Sequence, residues 1–145
     1  MITVRQLLAR KGHVVHTIRP DASVLEGLQL MAQYDVGALV VLGEGGEVVG
    51  LLSERDYARK VILRGKQSSE TRVDEIMEEK PVYIRSVQSI DDCMLLMTER
   101  RTRHLPVVEN GQIAGVISIG DVVKEMLADR DETIEELAQY IQGNR

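Results

Sequence analysis

The chain has 145 residues, of which 43% are hydrophobic and 28% are charged, enough for one domain or for two small units that share a core. Its net charge of −5 at pH 7 argues against a general nucleic-acid binder. No apolar run approaches the roughly 18 residues of a membrane span, and the lone Cys93 excludes an internal disulfide framework. We therefore expect a cytoplasmic protein that binds neither nucleic acid nor a membrane.

The first half of the chain predicts a short unit of alternating strands and helices. Val24, Leu28 and Met31 stand at i, i+4 and i+7, the spacing of one face of an amphipathic helix. The turn GEGG joins two apolar stretches and is typical of a hairpin. The predicted elements are, in chain order, a helical lead-in from Thr3, a strand over residues 14–18, the amphipathic helix, strands at Ala38–Leu42 and residues 48–52, and a helix from Asp56.

The second half repeats the first. The segment IRSVQSIDDCMLLM from Ile84 aligns with IRPDASVLEGLQLM from Ile18, 66 residues earlier, and GVIS from Gly115 aligns with GLLS from Gly50, 65 residues earlier. The one-residue difference falls at the hairpin tip, where repeats tolerate length variation. The matching elements are a strand over residues 82–84, a helix with Ile90, Met94 and Met97 on one face, strands over residues 105–108 and 113–117, and a helix from Asp121.

These repeats divide the chain into two units and a tail. We assign residues 1–65 to the first unit with its lead-in helix, residues 66–72 to a polar linker, residues 73–128 to the second unit, and residues 129–145 to a helical tail. Ile134, Leu137 and Ile141 form a narrow apolar stripe on the charged tail. Such a stripe packs either on its own domain or on a second copy of the chain.

One motif occurs at the same junction in both repeats: GLLSERD from Gly50 and GVISIGD from Gly115. Ser-x-x-Asp before an apolar run is a capping box, which is one interpretation of the pair. The other is a pocket wall, because the helix start attracts a phosphate and an ionised Asp accepts hydrogen bonds from two ribose hydroxyls. A glycine in the strand also indicates that something approaches the backbone closely. Both interpretations apply to each junction.

With this motif duplicated in two β-α-β-β-α units, the chain resembles a tandem pair of CBS domains, a Bateman module, over residues 3–127. The segments LMAQYDVGALVV and LMTERRTRHLPVV fit the family's middle segment, whereas Ser86 departs from it where the first unit has Pro20. The chain looks most similar to stand-alone two-CBS proteins of bacteria and plant organelles. The resemblance implies a mixed α/β (α+β) fold, in which two β-α-β-β-α units pack with pseudo-twofold symmetry and a C-terminal helix follows.

The resemblance also implies clefts between the units that bind AMP, ADP, ATP, NAD or S-adenosylmethionine. On this basis Asp56 and Asp121 hold ribose hydroxyls, and Ser53 and Ser118 lie near the ribose or the phosphate. The other expected ligand-binding residues come from the first strands, the segments before the middle strands and the junction loops: Thr17, Ile18, Gly37, Ala38, Glu54, Arg55, Val82, Tyr83, Arg103, His104, Pro106 and Ile119. The two junctions differ in charge, since Glu-Arg in the first aligns with Ile-Gly in the second, so we expect two non-identical sites.

We interpret the chain as a regulatory, energy-sensing module with no catalytic residues, no catalytic cofactor and no metal site. Binding of the adenosyl ligand is expected to favour one arrangement of the units, which an unidentified regulated protein or the second copy in a homodimer reads. Two alternatives remain. One is a constitutive dimerisation or scaffold module whose motifs are only caps. The other is a nucleotide-processing enzyme, for which the sequence offers no nucleophile–base constellation.

Overall fold

The computed structural model describes residues 1–143 as a mixed α/β fold with a long C-terminal helix, as the sequence predicts. The first half contains α1 (Val4–Lys11), β1 (Thr17–Ile18), α2 (Val24–Tyr34), β2 (Ala38–Leu42), β3 (Val48–Ser53) and α3 (Glu54–Tyr57), which continues as a π-helical turn at Ala58–Ile62. The second half contains α4 (Val73–Ile76), β4 (Glu78–Glu79), α5 (Ile90–Arg100), β5 (His104–Glu109), β6 (Gln112–Ser118) and α6 (Ile119–Gly143). Residues 144 and 145 of the predicted tail lie outside the described residues.

The strands form two small sheets, one around the hairpin of each half. In the first, β1 runs parallel to β2, β2 and β3 form the predicted antiparallel hairpin, and β4 pairs with the far edge of β3. In the second, β5 and β6 form the predicted hairpin. The first strands are shorter than expected: residues 14–18 contribute only Thr17–Ile18, and residues 82–84 contribute a single parallel bridge between Ile84 and Val107.

The main helix of each half begins at a serine cap and ends before a residue in the left-handed conformation. Ser23 accepts the backbone N–H of Glu26 at the start of α2, and Ser89 and Asp92 form a capping box at the start of α5. Each helix is followed by a residue in the left-handed region, with φ of 52° in both cases. Because these signals are local, the sequence predicts both helices correctly.

The lead-in helices cross between the two halves. The α1 side chains Leu7 and Leu8 are buried in the core of the second half, whereas Ile76 of α4 is buried in the core of the first. Equivalent backbone hydrogen bonds fix each lead-in helix to the other half. The Val4 N–H donates to Gln88 O, and the Val73 N–H donates to Ala22 O, each at 2.8 Å. These equivalent bonds give the packing its pseudo-twofold character.

The exchange adds a spatial relation that the assignment of the first lead-in helix to residues 1–65 does not contain. In space, α1 completes the other unit, because its apolar face closes the core between α5 and β6. The segment boundaries themselves, including the linker at residues 66–72, stay a prediction. The two lead-ins have the same apolar pattern, so the sequence alone does not tell which core each one covers.

The exchange also explains the strand glycines. An added Cβ at Gly115 would lie 2.8 Å from Leu8 Cδ2, and an added Cβ at Gly50 would lie 3.0 Å from the carbonyl oxygen of Glu78 and against the Met77 side chain. The close approach that the glycines indicated is therefore made by the other half's lead-in segment and not by a ligand.

The C-terminal helix α6 packs on the domain only at its start. Val122 and Glu125 are buried, whereas residues 129–142 are exposed. The predicted stripe of Ile134, Leu137 and Ile141 is more than half exposed at each position, so it does not pack on its own domain. Within residues 1–143, no helix has both the length and the apolar character that a membrane crossing requires.

A candidate ligand-binding cleft between the two halves

A cleft of about 860 Å³ lies where the β3–α3 junction of the first half faces α5 and the α5–β5 loop of the second. Its volume falls within the roughly 300–1,000 Å³ of small-molecule sites. Leu51, Met94 and Met97 supply apolar wall, and no described lining residue is a Tyr. The polar and charged lining consists of Ser53, Glu54, Arg55, Asp56, Arg59, Lys60, Glu78, Thr98, Arg100, Arg101, Thr102, Arg103 and His104, and Gly37 and Ile119 complete it.

The first junction is both a helix cap and part of the cleft wall. The Asp56 N–H donates to Ser53 Oγ at 3.2 Å, and Asp56 Oδ2 accepts the N–H and the hydroxyl of Ser53, each at 3.0 Å. The other carboxylate oxygen, Oδ1, lies 3.5 Å from Lys60 Nζ. Lys60 in turn donates to the carbonyl oxygen of Ile76 at 3.0 Å. The capping box is therefore confirmed, and it occupies one of the two carboxylate oxygens.

The second junction has the same cap in different surroundings. The Asp121 N–H donates to Ser118 Oγ at 3.2 Å, and Asp121 Oδ2 accepts the Ser118 N–H at 2.8 Å. The same oxygen accepts a hydrogen bond from Lys11 Nζ at 2.6 Å. Burial opposes ionisation of Asp121, but the Lys11 ammonium and the Ser118 amide outweigh it and hold the pKa below its ordinary value.

Matching hydrogen bonds place the loops around the cleft. The Glu54 N–H donates to Gly37 O at 3.1 Å, and at the equivalent position the Ile119 N–H donates to Arg103 O at 2.9 Å. One further bond crosses between the halves, because Arg55 Nη1 donates to the carbonyl oxygen of Arg101 at 2.6 Å. The first junction and the α5–β5 loop are thus connected directly.

His104 lies in the contact between the halves and lines the cleft with an uncharged side chain. Its imidazole is 3.6 Å from the position of a Cβ on Gly37. Burial lowers the pKa of His104, and the charges of Lys11 and Arg103 lower it further, while Asp121 acts in the opposite direction. The side chain is therefore uncharged near pH 7, so it does not add to the positive charge of the cleft.

The cleft has a surplus of positive charge. Among the described residues, six cationic side chains line it, from Arg55, Arg59, Lys60, Arg100, Arg101 and Arg103, against three carboxylates from Glu54, Asp56 and Glu78. Desolvation raises the pKa of Glu78, and the neighbouring Asp56 charge adds to the rise. A concave site with excess positive charge attracts anions such as phosphate groups.

The structure brings together about half of the residues predicted for ligand binding. Those that line the cleft are Gly37, Ser53, Glu54, Arg55, Asp56, Arg103, His104 and Ile119. Within residues 1–143, the other predicted residues lie outside its lining: Thr17, Ile18, Ala38, Val82, Tyr83, Pro106, Ser118 and Asp121. Of these, Ile18 and Pro106 are buried.

The sequence reasoning missed other residues of the cleft. Arg59 and Lys60 follow Asp56 at i+3 and i+4, so the helical spacing of the first junction could have indicated them. Glu78 had no such signal, because it reaches the cleft from the segment after α4. No cluster of three or more His, Cys, Asp or Glu side chains that could hold a metal occurs among the residues that the structure describes.

Comparison with known proteins identifies the same family for both halves. A family profile for the CBS domain matches residues 3–63 and 73–128. The mitochondrial CBS domain-containing protein CBSX3 of Arabidopsis thaliana is 39% identical over 127 residues, which are 85% of this chain and 62% of that protein. The chain therefore spans less than two thirds of this plant relative.

Solved structures agree with this similarity. A CBS-domain protein from Burkholderia ambifaria superposes with a TM-score of 0.83 at 46% identity, covering 88% of this chain and 95% of the other. A CBS-domain protein from Agrobacterium tumefaciens superposes with a TM-score of 0.80 at 41% identity, covering 84% and 91%.

Proposed function

The chain belongs to the CBS-domain family, and from this premise we propose that it is a cytoplasmic regulatory module that binds an adenosyl nucleotide in the cleft between its two halves. The candidates are AMP, ADP, ATP, NAD and S-adenosylmethionine. One observation carries the proposal: the Ser53–Asp56 junction of one half faces the cationic α5–β5 loop of the other across a single cleft. The module senses the energy state of the cell and performs no chemistry on the nucleotide.

Each part of an adenosyl nucleotide has a matching group in the cleft. Asp56 Oδ1 is not used by the helix cap, and an ionised carboxylate accepts bonds from adjacent ribose hydroxyls, each worth about 1.5–3 kcal/mol. Arg55 and Arg103 come from opposite halves and suit phosphate oxygens. The adenine packs on the aliphatic wall, where the methionines Met94 and Met97 adapt to a flat ring.

Regulation follows from the position of the cleft between two halves. A nucleotide that contacts both the first junction and the α5–β5 loop favours the arrangement in which the two halves are closest. In that arrangement Arg55 exchanges its bond to the Arg101 carbonyl for one to phosphate. The nucleotide shifts the equilibrium only by its differential affinity for the two states. A regulated protein partner, or the second copy in a homodimer, reads the shift.

Thermal unfolding with the five candidate ligands tests this proposal. A specific ligand at about 100 times its Kd adds about 2.7 kcal/mol of apparent stability, and this corresponds to about 5–11 °C in Tm. Asp56→Asn should abolish the ligand-induced shift. Asp92→Asn is the matched control, because it removes the carboxylate charge from the same type of capping box at the start of α5, where Asp92 Oδ2 accepts the Ser89 N–H at 3.0 Å.

The two variants show whether Asp56 only caps a helix or also binds the ligand. Both should lower the Tm of the unliganded protein by a similar amount, since each loses a negative charge at a helix start, worth about 0.3–1 kcal/mol, while the amide oxygen still accepts the Ser N–H. Only Asp56→Asn should lose the response to ligand. If none of the five ligands shifts the wild-type Tm, the sensor proposal is wrong. Steady conversion of a bound nucleotide to product would support the nucleotide-processing enzyme.

The exposed face of α6 favours constitutive dimerisation as a second candidate function. Leu127, Ile134, Leu137 and Ile141 recur at the a and d positions of a heptad, and each is more than half exposed. We propose that this stripe pairs with its copy in a homodimer. Sedimentation should give a dimer for the wild type and a monomer for Ile134→Asp. A dimer that forms without ligand, combined with no thermal shift, would favour the scaffold function over the sensor.

A further inference from the structure

The two Ser-x-x-Asp junctions carry the same cap but different neighbours. At Asp56, the nearest cation is Lys60, on the same helical segment, at 3.5 Å. At Asp121, the nearest cation is Lys11, which arrives from the lead-in helix α1, at 2.6 Å. Lys11 bonds the same oxygen that accepts the Ser118 amide, so this carboxylate is engaged by the cap and by an ammonium group together.

A second ion pair next to the first reinforces this difference. Arg10 Nη1 lies 2.8 Å from Glu125 Oε2, and Glu125 is only 8% exposed. Glu125 holds the place that Lys60 holds in the first repeat, four residues after the motif Asp. The sign of the charge is thus reversed between the repeats. At the second junction, the lead-in helix neutralises both carboxylates.

The lead-in helix holds Lys11 firmly in this position. Leu7 and Leu8 are each about 1% exposed in the core of the second half, so α1 does not move without opening that core. Lys11 Nζ also donates to the carbonyl oxygen of Val116 at 2.6 Å. Immediately beyond the helix, His13 Nδ1 lies 3.1 Å from the carbonyl oxygen of Ala114. The ammonium therefore has two partners on the strand and helix start that it covers.

We propose that Lys11 neutralises Asp121 and, with the end of α1, covers the second junction, so that each chain binds one nucleotide, at the first junction. This inference rests on the proposed function of the cleft. A ribose at Asp121 would have to share a carboxylate that Lys11 and the cap already engage through Oδ2, or displace Lys11 and leave a half-buried ammonium without its carboxylate, which is unfavourable. Lys11 is thus the residue that makes two similar motifs unequal in binding.

Calorimetric titration with ADP tests the stoichiometry. The wild type should bind one ADP per chain. Lys11→Met keeps the apolar stem but removes the ammonium, and it should bind two. Lys11→Met/Asp121→Asn should return to one, because the newly available carboxylate is gone. Lys11→Arg retains the charge and should also bind one. If Lys11→Met does not fold, Lys11→Gln replaces it, since its amide retains a hydrogen-bonding group without the charge.

Other results would overturn the inference. Two ADP molecules on the wild type, with one lost in Lys11→Met, would show that Lys11 binds a phosphate at a working second site. The inference also has a readout that needs no nucleotide, namely the NMR titration of the Asp121 carboxyl. Its pKa should rise in Lys11→Met, and an unchanged pKa would show that Lys11 does not engage it. If the wild type binds none of the five candidate ligands while the Asp121 pKa still rises in Lys11→Met, the proposed function is rejected and the Lys11 contact stands.

Discussion

Substitution of Gly115 by Ala tests the exchange of lead-in helices directly. The added Cβ would lie 2.8 Å from Leu8 Cδ2 and 3.0 Å from Leu8 Cδ1, closer than ordinary carbon contacts. Overpacking of this kind costs about 1–3 kcal/mol, and the reduced chain entropy of Ala offsets about 0.4–1 kcal/mol of that. We expect Gly115→Ala to lower the free energy of unfolding by about 1–2 kcal/mol, or Tm by about 2–8 °C.

A double-mutant cycle with Leu8→Ala makes the test specific for this contact. Leu8 is about 1% exposed, so its truncation alone should cost about 2–5 kcal/mol. In the double variant the methyl group added at position 115 enters the space that the leucine leaves, and the overpacking penalty disappears. The double variant should therefore be more stable than the sum of the single changes by about 1–2 kcal/mol.

Urea unfolding followed by circular dichroism gives the required free energies. Gly120→Ala is the control, because its Cβ would meet nothing closer than Ser118 Oγ at 3.7 Å, so we expect only the entropic gain of about 0.4–1 kcal/mol and no penalty. Additivity of the Gly115 and Leu8 changes within about 0.5 kcal/mol would refute the reasoning. It would mean that α1 does not pack over the second sheet.

Three further predictions concern charge and reactivity. Burial raises the pKa of Asp121, but the bonds from Lys11 and Ser118 outweigh burial and lower the folded-state pKa. The ionised carboxylate therefore contributes stability above the unfolded pKa of about 3.9, and this contribution is lost as the pH falls through the lower folded pKa. Asp121→Asn should flatten the dependence of the urea unfolding free energy on pH below about pH 4. Burial, followed by the charge of Asp92, raises the pKa of Cys93 to about 12, so iodoacetamide should label this thiol only after unfolding, and rapid labelling of the native protein at pH 8 would contradict its burial. Because the cleft has a surplus of positive charge, its affinity should decrease in the order ATP, ADP, AMP and S-adenosylmethionine, and higher salt should weaken the binding of ATP most. Equal calorimetric affinities for AMP and ATP would argue against phosphate contacts by Arg55 and Arg103.

Much of the local structure follows from the sequence because it depends on residues a few positions apart. The capping boxes at Ser53 and Ser118 each need an Asp three residues later, and both form as predicted. The hairpins follow from apolar stretches around short polar turns. The duplication also predicts that the two halves share one order of elements. By contrast, β4 was not predicted, since Glu78–Glu79 has no strand pattern and pairs only because the chain passes beside β3.

The sequence by itself therefore determined the repeat, its helices and hairpins, and the junction that caps α3 and lines the cleft. Tertiary structure decided which core each lead-in helix covers, because α1 and α4 present similar apolar faces and the sequence does not distinguish them. It also decided the neighbours of the two motif carboxylates. Asp56 lines the same cleft as the arginines of the opposite half, whereas Asp121 bonds to Lys11 across 110 positions of the chain. Contacts over such separations depend on how whole elements pack, and for that reason two nearly identical motifs acquired different electrostatic surroundings.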